Sequence, residues 1–320
     1  MSRKIGIIGG GHVGSTVAMS LALRDFCNDI TIVDQSFSKA EAQALDLIDA
    51  MPYAPSYTRI MANDDVSVLA DADILVNCIR PTERHENPMD FLAETATLVH
   101  DIFSTIMDNG FRGIIINITE PCEAITMLIQ QVTGLPKNRV FGTGTALDTS
   151  RLYAHLGLTL QLDPTRISGF ILGDHANSNF IAWSTIRIDS FLMEKVIEDL
   201  PPGLGMSFEV VEESLQNAAT KIRNGKSYLN FAISQVVTRI IYSIYNNTQT
   251  ILPLAVYSKE YDTYLSVPTT LWQHGIRYNM PIILTDEEQV RLSTAATSVK
   301  STFAAIKQQE DSPSIRIAPK

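Results

Sequence analysis

The chain has 320 residues, 45% hydrophobic and 19% charged, enough apolar side chains for a substantial core and too many for a disordered polymer. Twenty-five Lys and Arg stand against 35 Asp and Glu, a formal charge of −10, opposite in sign to the basic stripe of a nucleic-acid binder. At roughly 150 residues per domain, the length suggests two domains or one large α/β unit.

Taken in order, the first 145 residues alternate short apolar runs with amphipathic stretches, the pattern of a βαβ array. Lys4–Gly9 reads as a strand ending in glycine, and Val13–Arg24 as a helix with Val13, Val17 and Leu21 at helical spacing. Ile30–Asp34 is a second strand. Ser38–Ile48 is a helix in which Ser38 and Glu41 have capping-box spacing. Asp73–Ile79 is a third, continuously apolar strand, expected where helices cover both faces of a parallel sheet. Pro81 and Pro88 bracket a polar loop, and Met89–Met107 is a long helix. Gly113–Ile118 and Val140–Gly144 are the fourth and fifth strands.

The second half is mixed. A helix over Leu147–Leu156 leads to strand-like runs at Ile167–Leu172 and Phe180–Ile188. Helices are expected at Ser207–Asn224 and Tyr228–Tyr245, strands near Leu252–Tyr257 and Tyr264–Trp272, and a last helix at Asp286–Gln308. The fold class is therefore α/β: a Rossmann-type doubly wound parallel sheet over 1–145, then a mixed α+β catalytic domain over 146–309, with 310–320 a polar tail. No linker separates the halves, so they should share a tight interface.

Cys27, Cys78 and Cys122 form no CxxC pair and are too few for a disulfide framework, which fits a reducing, cytoplasmic setting. The N-terminal apolar run breaks at once into glycines, so a secretory leader is not expected, and no run approaches the length needed to span a membrane. The six histidines and three cysteines lack metal-ligand spacing, so no metal site is expected.

Gly9-Gly10-Gly11-His12-Val13-Gly14 matches GxGxxG. It follows a predicted strand, opens a predicted helix, and has Asp34 at the end of the next strand, twenty residues beyond Gly14. Gly9 suits the turn, Gly11 lets the backbone approach a diphosphate, and Gly14 allows close helix–strand packing. The helix N-terminus offers free N–H groups and a favourable dipole to that diphosphate. An acid at Asp34 would bind ribose hydroxyls and repel a 2′-phosphate, so the cofactor read from the sequence is NAD. His12, Val13, Ile79 and Ile118 complete the candidate cofactor contacts.

Two further segments carry chemistry. Asp148 and Arg151, three residues apart, share one face of a predicted helix, and His175 follows a strand within Gly173-Asp174-His175. A histidine of near-neutral pKa gives and takes protons, and a neighbouring carboxylate raises that pKa.

On GxGxxG, GTGTALDTSR, SGFILGDHANSNFIAWSTIRI and NGKSY, the chain resembles the L-2-hydroxy-acid dehydrogenases of the lactate and malate dehydrogenase family, from Lys4 to about Gln308. The second-half segments read most like the L-2-hydroxyisocaproate branch. The resemblance implies His175 as proton donor to a 2-oxo group and base in the reverse direction, Asp148 as its orienter, and Arg151 as a bidentate partner of the substrate carboxylate. It also implies a homo-oligomer, dimer or tetramer, acting on a small 2-oxo or 2-hydroxy acid.

Three positions depart from the family. Phe91 falls where a loop arginine polarises the substrate carbonyl, leaving Arg80, Arg84 or His85 as replacements, with mid-loop Arg84 preferred. Glu120 stands where the family has an asparagine, and would repel a 2-oxo acid unless a cation such as Arg84 compensates. Leu229 stands where threonine is common. These changes suggest a bulky or branched substrate side chain. The alternative is a catalytically weak NAD(H)-binding homologue acting as a sensor.

Overall fold

The computed structural model describes residues 3–25, 27–55, 57–81, 87–199 and 207–310. Six parallel strands build the first half: β1 (Lys4–Ile8), β2 (Asp29–Val33), β3 (Arg59–Asn63), β4 (Ile74–Asn77), β5 (Ile114–Asn117) and β6 (Val140–Gly142). Their order across the sheet is β3-β2-β1-β4-β5-β6, so the direction of winding reverses between β1 and β4. A crevice opens at the carboxyl ends of strands at such a reversal.

The apolar strands are continuous because their side chains alternate between two buried faces. Ile5 and Ile7 of β1, Ile74 and Val76 of β4, and Ile114 and Ile116 of β5 join one core with α1 (His12–Ala22) and α2 (Phe37–Ala50). Ile8, Leu75 and Ile115 point the other way, onto α3 (Pro88–Asp108) and α4 (Cys122–Thr133). Each fully buried aliphatic side chain contributes roughly 1.5–3 kcal/mol.

The second half contains α5 (Ala146–Leu160), the two-residue strands β7 (Ile167–Ser168), β8 (Ile171–Leu172), β9 (Phe180–Ile181), β10 (Arg187–Ile188) and β11 (Phe191–Leu192), then α6 (Met193–Glu198), α7 (Phe208–Lys226) and α8 (Phe231–Tyr245). The antiparallel strands β12 (Ile251–Ser258), β13 (Thr263–Trp272) and β14 (Gly275–Asn279) precede α9 (Asp286–Glu310). β12 pairs with β6 through Ala255 and Gly142, extending the first-half sheet to nine strands. The expected tight interface is thus a shared sheet and a shared core, with α8 against α1, where Asn230 donates to Thr16 Oγ1 at 2.8 Å.

Several expectations are corrected. The strand runs at 167–172 and 180–188 are broken into short pieces: Gly169 adopts φ +117° between β7 and β8, and a 3-10 turn at Trp183–Thr185 separates β9 from β10. β3 was not expected: as an edge strand it buries fully only Ile60, so it lacks an apolar run. α4 and the exposed strand β14 were also missed. α2 does not use the Ser38/Glu41 box. Asp34 Oδ1 accepts the Ser36 amide at 3.1 Å, fixing the chain just after β2, and the helix begins at Phe37. α8 starts at Phe231 rather than Tyr228, because Ser227 turns to φ +65° and ends α7. Glu310 belongs to α9, and 311–320 lie outside the described residues. The three cysteines are free thiols. No helix among the described residues is long and apolar enough to cross a membrane.

Candidate active site

The glycine turn between β1 and α1 is built by contacts a side chain would prevent. Gly9 adopts φ +103°, and a Cβ there would lie 2.8 Å from the Cys78 carbonyl oxygen. A Cβ on Gly14 would lie 2.0 Å from the Gly9 carbonyl oxygen, so this glycine lets α1 pack directly on the turn. Gly11 differs: a Cβ there would meet nothing within 4 Å, so open space lies beside the first turn of α1, which no side chain caps. That space, before a helix N-terminus, fits a diphosphate.

Asp34 stands just past β2, where its Oδ2 accepts from the Gly10 amide and from Lys39 Nζ, each at 2.8 Å. Burial pushes its carboxyl pKa up, but the Lys39, Ser36 and Gly10 hydrogen bonds outweigh burial and hold it below the ordinary value. Asp34 is therefore a carboxylate at neutral pH, as ribose recognition requires. Ile79 and Ile118 follow β4 and β5, and the Ile79 carbonyl accepts from Thr119 Oγ1 at 2.7 Å. Val13 is half-buried against the core, and His12 stacks on Tyr228 with centroids 3.8 Å apart. The residues present fit a dinucleotide.

The second cluster is assembled from three elements. Thr145 Oγ1 donates to the Ile171 carbonyl at 2.5 Å, and the Ile171 amide donates to Thr149 Oγ1 at 3.0 Å, so α5 is locked in register with β8. Gly173 pairs with Ser266 of β13 and directs the chain so that His175 emerges over the first turn of α5. His175 Nδ1 then lies 2.5 Å from Asp148 Oδ2, while Asp148 Oδ1 accepts from Arg151 at 2.9 Å. The structure thus brings together Asp148, Arg151 and His175.

It also brings in Glu120, from the loop before α4, whose Oε1 is 3.5 Å from His175 Nε2. Burial alone would lower the His175 pKa, but the Asp148 and Glu120 carboxylates overcome it and raise the pKa well above the usual histidine value. Glu120 responds in kind. Its contact with His175 outweighs burial and, with Arg223 and Arg80, holds its carboxyl below the ordinary value. Arg84, preferred from the sequence as its compensating cation, lies outside the described residues, as does His85. Phe91 is half-buried in the first turn of α3, with the Arg80 guanidinium 5.8 Å from its ring centre. Leu229 is half-buried in the connection between α7 and α8, beside Tyr228 and Asn230.

Sequence reasoning missed two groups. Glu123, fully buried in the first turn of α4, accepts from the His175 amide at 3.2 Å and from Ser266 Oγ at 2.6 Å, while its Oε2 has no partner. Burial, reinforced by Asp174, pushes its pKa up to about 7. An acid at the head of an otherwise uncharged helix was the available signal. Arg223, in the last turn of α7, had none: it is one of four charged or amide residues in Lys221-Ile-Arg-Asn-Gly-Lys226.

Comparison with known proteins places both halves of the chain in one family. Residues 3–142 match the family model of the lactate/malate dehydrogenase NAD-binding domain, and residues 145–310 match that of the lactate/malate dehydrogenase α/β C-terminal domain. The chain is 31% identical to L-lactate dehydrogenase 1 of Bifidobacterium longum subsp. longum over 304 residues, 93% of this chain and 96% of that protein. It is 29% identical to an L-lactate dehydrogenase of Lactococcus lactis subsp. cremoris over 312 residues, 96% and 99% of the two chains. Among solved structures, the minor L-lactate dehydrogenase of Enterococcus mundtii in a ligand-bound form superposes with a TM-score of 0.90 at 28% identity, covering 95% of this chain and 98% of that one. The lactate dehydrogenase MGS-M5, from a Medee basin deep-sea metagenome library, superposes equally well at 25% identity, covering 96% and 99%. The chain belongs to the lactate/malate dehydrogenase family, NAD-dependent oxidoreductases that interconvert 2-oxo and 2-hydroxy acids.

Proposed function

We propose that the chain interconverts a 2-oxo acid and an L-2-hydroxy acid bearing a bulky or branched side chain, as an L-2-hydroxyisocaproate dehydrogenase would. The observation that carries this reading is the hydrogen-bonded series Arg151–Asp148–His175, which sets a carboxylate binder and a proton donor side by side. NAD supplies a hydride acceptor when oxidised and a hydride donor when reduced. The open space at Gly11, with the first turn of α1, takes the diphosphate, and Asp34 takes the ribose.

In the direction of reduction, Arg151 receives the substrate carboxylate, the planar pairing that guanidinium groups favour. Asp148 keeps Nδ1 protonated and aims Nε2 at the 2-oxo oxygen. As hydride reaches the 2-carbon, the Nε2 proton passes to that oxygen and the imidazole is left neutral; oxidation reverses each transfer. The apolar side chains of Phe91 and Leu229 support a bulky substrate group over a second carboxylate. A second reading, a weak homologue that senses NAD(H), is favoured by Glu120, whose carboxylate stands in front of Nε2.

NADH loss with pyruvate, oxaloacetate, 2-oxoisocaproate and phenylpyruvate tests both. The two bulky acids should be preferred, and His175→Ala should lower turnover by about 10²–10⁴-fold. Tight NADH binding without turnover of any of the four would favour the sensor.

A further inference from the structure

Both ring nitrogens of His175 face carboxylates. Nδ1 is 2.5 Å from Asp148 in the interior, and Nε2 is 3.5 Å from Glu120 at the rim, whose side chain is 62% exposed. With Nδ1 taken by Asp148, Nε2 is the nitrogen left to meet a reacting oxygen. We propose that Glu120 is a positioning residue that holds the Nε2 proton in the substrate-free enzyme, setting it to reduce 2-oxo acids at neutral pH and to oxidise 2-hydroxy acids only in more alkaline solution. This rests on the dehydrogenase reading above.

The charges around the ring favour this role. Asp148 divides its two oxygens between His175 and Arg151, so part of its charge is already balanced. Glu123 touches His175 through its backbone amide, from below, and adds a smaller part to the field at the ring, while Asp174 beside it takes its hydrogen bonds from Ala176, Asn177 and Ser298. Glu120 is the carboxylate at Nε2, kept ionised by that contact and by Arg223 and Arg80. When a substrate oxygen arrives, Glu120 must yield its place. Its exposed side chain has solvent to move into, and the charges of Arg223 and Arg80 act on it.

The protons balance over a cycle. During reduction the Nε2–H bond breaks and an O–H bond forms on the substrate, the electron pair remaining on Nε2. Afterwards a proton from bulk solution re-forms the Nε2–H bond, so each reduction consumes one solvent proton and regenerates the imidazolium that Glu120 holds.

Reduction needs protonated His175 and falls as pH rises through its pKa; oxidation needs the neutral ring and rises there. Glu120→Gln removes a negative charge at constant size, so the kcat/KM midpoints in both directions should move down by about one pH unit, the low end for an opposite charge at this range because the pair is partly solvated. Arg223→Gln removes a cation that competes with the imidazolium for the Glu120 carboxylate, so its midpoints should move up. The His175 ring resonances, assigned by their loss in His175→Ala and titrated by NMR without substrate, should show the same two displacements. Unchanged His175 titration in Glu120→Gln overturns the proposal, as does movement of both variants in one direction. Opposite displacements with no turnover of any 2-oxo acid would leave Glu120 in this role and refute the dehydrogenase reading instead.

Discussion

The two ends of the active site are made in different ways. The nucleotide end is local: Gly9, Gly11, Gly14 and Asp34 come from one βαβ unit, and the turn is shaped by backbone contacts that only glycine permits at Gly9 and Gly14. The substrate end joins Glu120, Asp148 and His175 from the approach to α4, the start of α5 and the end of β8, aligned by Thr145, Thr149 and Ser266. A site carried by backbone shape tolerates little change at its glycines but is independent of distant elements. A site carried by side-chain charge can be retuned one residue at a time, and its pKa values report the whole cluster.

This contrast is sharpest at Gly14. In an exposed helix, glycine to alanine would gain about 1 kcal/mol from propensity. Here the added Cβ meets a backbone oxygen at 2.0 Å, so Gly14→Ala should lose more through overpacking, about 1–3 kcal/mol. Because the displaced atoms form the diphosphate turn, NADH affinity should fall by 100-fold or more, on the order of 3 kcal/mol. Fluorescence titration of NADH and a thermal melt check this; unaltered affinity would mean that the turn is not rigid. At the other end, Arg151→Lys keeps the charge but loses the planar fork, and should raise the KM for the 2-oxo acid by about tenfold to a hundredfold, with NADH binding unchanged. A change confined to NADH affinity would break the division between the two ends.

The smallest effect concerns Glu123. Its folded-state pKa of about 7 stands above the usual carboxyl value of 4.5, so the folded protein binds the extra proton between those limits. Stability linked to this group is greatest below that window and declines as pH rises through it, because ionisation then occurs in a buried site. Glu123→Gln keeps an acceptor for the His175 amide but cannot ionise. Its melting temperature relative to wild type should therefore rise by about one to two degrees from pH 5 to pH 8, for roughly 1 kcal/mol. A constant difference across that range would show that Glu123 stays in one protonation state.

The parallel sheet was legible because both of its faces are buried, so β1, β4 and β5 are written as uninterrupted apolar runs. β3 and β14 were not, since edge strands bury too little to carry that mark. The short strands of the second half escaped for another reason: residues 167–188 look like two long strands until Gly169 takes positive φ and Trp183–Thr185 turn into a 3-10 helix. Asp148, Arg151 and His175 were legible by residue type and spacing, whereas Arg223 sits among other polar residues of α7 and is singled out only by its field at Glu120.

By itself, then, the sequence determined the α/β class, the glycine turn of the NAD-binding half and the residues from which the proposed proton and carboxylate chemistry is built, because periodicity and glycine placement are local properties of the chain. The tertiary structure alone decided that Glu120 meets Nε2, that Glu123 lies beneath His175, and that Arg223 and Arg80 balance the rim. Those are electrostatic relations between residues far apart in the chain, set by distance and burial, which no spacing along a sequence encodes.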